Sequence, residues 1–138
     1  MSTLRTNALE GVDAKNSITI VAGAGNITTT NVQQGLAKNW CHSVLGSGTP
    51  ANTDSFNTST ITDVDAGNYK PQFTSNMANA TFAVGYSVQY SSTSGTGCFF
   101  HQSPPANFST SDYNVQHFQN GSIADAVAFM STIHGDLA

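Results

Sequence analysis

Four histidines, two cysteines and eight acidic residues are the groups with which this chain would have to do chemistry. His101, His117 and His134 each fall in a segment with strand patterning, and His42 follows Cys41. Neighbouring strands could bring two imidazoles together, and a three-fold axis could gather three copies of one, as a metal or anion site requires. The sequence has no H-x-H pair, no C-x-x-C and no Cys/His spacing of the structural zinc kind, so hydrogen-bonded or interface histidines are expected. Cys41 and Cys98 stand 57 positions apart. Buried free thiols are the expectation, because a disulfide would need an oxidising exterior and a Cα separation that sequence does not reveal. Asp63 and Asp65, in TDVDAGN, superficially resemble an oxygen-rich calcium loop. The 12-residue spacing and closing Glu of such a loop are absent, and a β-turn closed by Gly67 accounts for the segment.

The nucleophilic and phosphate-binding signatures are missing too. There is no G-x-S-x-G elbow, H-E-x-x-H, G-x-x-x-x-G-K-[ST] or strand-to-helix G-x-G-x-x-G, and no paired-carboxylate context of the glycosidase type. The GAGN at residues 23–26 is short and has no helix after it, so a hairpin or bulge turn explains it. These readings predict a protein that is not an enzyme and holds no cofactor and no metal. Aromatic residues are the remaining handle. Tyr86, Tyr90, Phe99, Phe100, Phe108, Tyr113 and Phe118 crowd the second half, interleaved with Asn, Gln and Ser. Most should be core; Phe108, Tyr113 and Tyr90, in or beside loops, are the candidate receptor or partner contacts.

The elements that must position these groups read as strands. Residues 80–90 alternate strictly, with Phe82, Val84, Tyr86, Val88 and Tyr90 on one face and Thr81, Ala83, Gly85, Ser87 and Gln89 on the other. Further strand segments are 17–22, 38–45, 55–63, 68–74, 97–102, 113–119 and 126–134. Helical spacing is confined to two weak stretches, 31–40 and 122–129. Turn-rich segments such as GSGTPANTD, DAGN, SSTSGTG, SPPANFSTSD and NGS punctuate the strands. Pro71 inside one segment predicts an edge strand or a bulge there. The fold class that follows is all-β: a small antiparallel β-sandwich, jelly-roll-like, of about seven or eight strands. Residues 1–33 sustain neither period and are read as an extended N-terminal anchoring arm, with Leu4, Leu9, Val12, Ile18 and Ile20 as its apolar contacts; residues 34–138 form the sandwich.

Composition narrows the partners. Ser, Thr and Asn supply 46 of 138 residues and charged residues only 9%, against about 25% charged in typical soluble domains. A surface of hydroxyl and amide groups results. Arg5, Lys15, Lys38 and Lys70 are the only cations, too few for nucleic acid or a polybasic membrane contact. No apolar run approaches a membrane span, and MSTLRTNALEG does not resemble a secretory signal, so synthesis in a cytosol is expected. Five N-x-[ST] sequons are what this composition provides by chance.

A resemblance adds to this reading. The run Gln34-Gly35-Leu36-Ala37-Lys38-Asn39-Trp40, then Asp54-Ser55-Phe56-Asn57, Ile61-Thr62-Asp63, Gly67-Asn68-Tyr69 and Phe73-Thr74-Ser75-Asn76-Met77 resembles a pattern in virion structural, tail-fibre-like proteins of marine tailed bacteriophages. STLRTNALEGVDAKNSITIV is similar to the adaptor segments that begin such proteins. Cys41-His42-Ser43 departs from the pattern after the Trp, and TDVDAGNY has its own spacing. The resemblance implies a virion localisation after assembly in the host cytoplasm, as a capsid decoration or short fibre subunit. It implies other virion proteins of capsid or tail as partners, a homotrimer, and host attachment through surface glycan as the alternative role.

Overall fold

In a computed structural model the chain divides into two compact units, Met1–Leu36 and Ala37–Ala138. The structure describes residues 35–45, 49–89 and 108–138 in full, and the backbone strands at 19–22, 28–31 and 98–101. In the first unit β1 (Thr19–Ala22) pairs antiparallel with β2 (Thr28–Asn31), from Thr19 opposite Asn31 to Ala22 opposite Thr28. β-Branched residues fill both strands, which suits a pleated ladder. The region expected to be extended therefore contains a hairpin that joins residues flanking the GAGN segment. Leu4, Leu9, Val12 and Ile18 lie outside the described residues; Ile20 sits on β1 opposite Thr30, and its side chain is likewise outside them.

The second unit is all-β, as its patterning predicts, and the weak helical stretch 122–129 is no helix; most of it lies in or between the last two strands. One sheet has the order β4 (Ala51–Phe56), β3 (Asn39–Val44), β11 (Ala128–His134), β7 (Ala83–Gln89). The other runs from β5 (Thr58–Asp65) through β6 (Asn68–Phe73) to β9 (Val115–Gln119), which also pairs with β8 (Cys98–His101) and the two-residue β10 (Ser122–Ile123). All pairings are antiparallel. The sheets pack as a sandwich around Cys41, Leu45, Ile61, Tyr69, Phe73, Met77, Phe82, Tyr113, Val115, Ala126, Phe129 and Ile133. Each large apolar side chain buried there contributes about 1.5–3 kcal/mol. Phe82 meets Phe73 edge-on at 5.6 Å and stacks on Phe108 at 4.7 Å, and Phe73 stacks on Tyr113 at 5.6 Å.

The first and last strands of the sandwich are neighbours in its first sheet: Asn39 lies opposite Ile133, and Lys38 N–H donates to the Ile133 carbonyl at 2.7 Å. One residue carries the chain from the first sheet to the second. Patterning predicts a single strand over 55–63, but Asn57, at φ 57°, separates β4 from β5. Its carboxamide donates to the carbonyls of Lys38 and Ser75, both at 3.0 Å, and accepts from Ser75 N–H at 2.6 Å. These bonds hold a left-handed backbone that Asn tolerates better than most residues.

Two tight turns meet their expectations. Asn120 and Gly121, at φ 49° and 79°, join β9 to β10 as a primed hairpin turn. Ala66 and Gly67 join β5 to β6, with Asp65 accepting from Ala66 N–H at 2.8 Å. Gly67 has φ 64°, and a Cβ there would lie 2.7 Å from the Ala124 carbonyl and 2.9 Å from that of His117. Pro71 departs from expectation, since β6 lies between β5 and β9. The β6–β9 ladder covers only Asn68 and Tyr69; Pro71 lies beyond it, where no ladder bond to β9 calls for its N–H, and its carbonyl accepts Tyr113 N–H at 3.2 Å from the following loop.

Candidate binding face

Between the sheets most of the polar groups bond to other parts of the fold. Ser131 Oγ lies 2.7 Å from Tyr113 Oη and 3.2 Å from Cys41 Sγ, all three buried. Burial pushes the Tyr113 phenol well above its ordinary value. Tyr69 Oη accepts from Ala126 N–H at 3.2 Å and donates to Asp125 at 3.3 Å; burial, with Asp125 adding to it, pushes this phenol up to about 12. His117 is fully buried with Nδ1 2.6 Å from the Ala124 carbonyl, so that nitrogen carries the proton. Burial also lowers the Lys38 ammonium, against the attraction of Asp136. Among the described residues no three His, Cys, Asp or Glu side chains gather as metal ligands would.

The outer face of the first sheet is different. Asn39, Cys41, Ser43 and Leu45 point inward, which turns Trp40, His42 and Val44 outward. The register sets Phe56, Trp40, Thr132 and Gly85 side by side in one row across the four strands, and Asp54, His42, Met130 and Ser87 in the next. Phe56 is 50% exposed and Val44 39%. Gly85 offers no side chain beside Thr132, leaving a step at the end of the aromatic row. A bulge in β4 between the partners of His42 and Ser43 adds Thr53 to this face. Thr53 Oγ1 donates to the His42 carbonyl at 2.9 Å and lies 2.8 Å from His42 Nδ1. Because the single hydroxyl proton goes to the carbonyl, Nδ1–H is the donor to Thr53, and Nε2 is presented as an acceptor. Asp54 is the only formal charge in these rows.

Such a surface offers flat aromatic area and fixed hydrogen-bonding groups to an uncharged ligand. Trp and Phe rings pack against C–H surfaces of other molecules as they do against core side chains. Adjacent hydroxyl, imidazole and carboxylate groups would pair with hydroxyls.

The residues singled out in the sequence do not build this face. Tyr113 is 0% exposed and belongs to the core, so its ring is closed to a partner in this state. Its position two residues before β9, folded back under Phe73 and Phe82, is the reason. Phe108 is half-buried in the same aromatic group, edge-on to Tyr113 at 6.3 Å. Tyr90 lies outside the described residues, as do the side chains of Cys98 and His101. Trp40 and Phe56 fall in the strand segments 38–45 and 55–63, where patterning alone does not say which face is buried. The signal that finds them is Asn39, whose buried carboxamide nitrogen reaches the Phe56 and Asn57 carbonyls at 3.2 and 3.0 Å and Thr58 Oγ1 at 2.7 Å. A corner that needs Asn39 inside forces Trp40 outside. Compared with known proteins, the chain matches no family model, no curated protein and no solved structure.

Proposed function

We propose that the protein is a non-enzymatic structural component of a bacteriophage virion, joined to other virion proteins through its N-terminal unit and displaying the β-sandwich outward as a decoration or short fibre. The observation that carries this reading is the organisation of the chain. The chain divides into two compact units, Met1–Leu36 and Ala37–Ala138, and the first of them is assigned to attachment. The neutral hydroxyl and amide surface and the resemblance of residues 34–77 to virion proteins support the same reading. Deleting residues 1–36 should leave a sandwich that unfolds cooperatively but no longer enters particles. Incorporation of that folded truncation at the wild-type level would overturn the reading.

A second reading, recognition of host-surface glycan, is favoured by the outward Trp40 and Phe56. The face is four strands wide and about three rows deep, roughly 350–400 Å² from strand spacing and rise. That is about half of the ~800 Å² per partner in a stable protein interface, while it spans several sugar rings. The full chain should bind host cells, and Trp40→Ala with Phe56→Ala should abolish binding while leaving the unfolding midpoint near wild type. Undiminished binding by the double variant would remove this face from the interaction.

A further inference from the structure

We propose that Gly85 is a specificity-determining ligand contact: it keeps open a hollow that receives one ring of a neutral glycan whose other rings lie on Trp40 and Phe56, an inference that rests on the glycan reading above. Gly85 stands in the same row as Trp40 and Phe56, two strands from Trp40, or about 10 Å at ordinary strand spacing. At that place the sheet has a hollow of about 280 Å³ lined by Gly85, Tyr86, Ser87, Met130, Ser131 and Thr132. The Ser131 side chain is turned into the core, so the hollow opens on the side of Met130 and Thr132, which is the outer face. Pockets for drug-sized ligands start at about 300 Å³, so this one suits a single ring. No formal charge lines it, and the hydroxyls of Ser87 and Thr132 are at hand for those of a sugar.

Among the described residues, nothing in the fold calls for glycine at this position. Inside a strand, glycine marks a bulge, a tight bend, or the close approach of another backbone or a ligand. β7 pairs with β11 from Ala83 to Gln89 without a register shift, so there is neither bulge nor tight bend. Gly85 does not share the positive φ of Gly67 and Gly121. Among the described residues a Cβ at Gly85 would meet only Thr132, its Oγ1 at 3.1 Å and its carbonyl at 4.0 Å. Thr132 is exposed, and a small rotation moves that hydroxyl aside. Gly135 is the contrasting case: a Cβ there would lie 2.8 Å from Phe82 and 2.9 Å from Met77, so core packing excludes one. A β-branched residue opposite Thr132 would serve the strand better than glycine does. Of the reasons for a strand glycine, the approach of a ligand is the one that remains, and the hollow lies in line with the aromatic row on which that ligand would rest.

Trp40 is the only tryptophan of the chain, so its emission reports on this face. The test titrates the full chain with oligosaccharides released from the host surface and separated into neutral and acidic fractions. The neutral fraction should change the emission saturably. Gly85→Val fills the hollow and should raise the dissociation constant roughly tenfold or more, with an unfolding midpoint at or above that of wild type; Gly85→Ala should raise it less. If Gly85→Val binds as wild type does while Phe56→Ala still weakens binding, the hollow is no subsite and the glycan reading stands. If neither fraction changes the emission, both are overturned. Saturation by the acidic fraction alone would overturn the neutral ligand proposed here. A lowered unfolding midpoint in both Gly85 variants would show that the fold needs the glycine, and that too would overturn the proposal.

Discussion

Asn57 offers the most direct test of how the two sheets are joined. Replacing it by Ala removes three side-chain hydrogen bonds, one partly buried to Lys38 and two exposed to Ser75. At about 1 kcal/mol for the first and about 0.5 for each of the others, roughly 2 kcal/mol is lost. Ala must also hold φ 57°, which adds about 1 kcal/mol of left-handed strain. Asn57→Ala should therefore destabilise by about 3 kcal/mol. Asn57→Gly loses the same bonds without the strain, and Gly's greater freedom in the unfolded chain adds about 0.5 kcal/mol, so it should fall near ~2.5 kcal/mol. Urea unfolding with an unchanged slope measures both. The reasoning fails if Ala lies within about 0.5 kcal/mol of wild type, which would mean these bonds contribute almost nothing. It also fails if Ala is as stable as Gly, because the backbone strain would then be absent.

Two further outcomes follow from the turns and the phenols. Gly67→Ala must fit a Cβ within 2.9 Å of two carbonyl oxygens at positive φ, whereas Gly121, also at positive φ, has nothing within 4 Å; the first should cost more than about 3 kcal/mol and the second about 1 in the same urea assay. On the alkaline side, a tyrosine ionising at about 10 when unfolded and about 12 in the folded protein, as Tyr69 does, keeps its full stabilising effect below pH ~10. It loses on the order of 3 kcal/mol between pH ~10 and ~12, because only the unfolded state releases its proton there. Tyr113, raised in the same sense, adds to the loss. Thermal unfolding followed across that range should show a steep fall, and replacing Tyr69 by Phe should flatten part of it; a midpoint independent of pH there would contradict the burial of both phenols.

The parts of the fold that were legible in sequence are those where one physical rule dominates. Segment 80–90 alternates without exception and contains β7 at Ala83–Gln89, and NGS is the turn its residues demand. Illegible parts are those where polar side chains do the work of apolar ones. β4 begins inside GSGTPANTD because Ala51–Phe56 has only one large apolar residue, and that one faces solvent. Ser131 and Tyr113 bury their hydroxyls against each other, which makes a loop tyrosine a core residue. The candidate face was hidden by the same effect: Asn39 and Ser43 point inside, Asn39 bonding through its amide nitrogen and Ser43 to Asn52 at 2.7 Å, and this turns Trp40 and Val44 to the outside.

The adjacency of β3 and β11 fixes where probes can be placed. Asn39 and Ile133 pair at one end of the first sheet, so a fluorophore or affinity tag fused after Ala138 marks that end of the sandwich. The Ala66–Gly67 turn and the Asn120–Gly121 turn lie together at the other end, tied by His117 N–H to the Gly67 carbonyl at 2.7 Å. Of the two, Asn120–Gly121 is exposed and uncrowded, a site where inserted peptides are tolerated. A label inserted there would stand at the far pole from the chain's entry, and the separation of the two labels in particle images would give the direction in which the sandwich points.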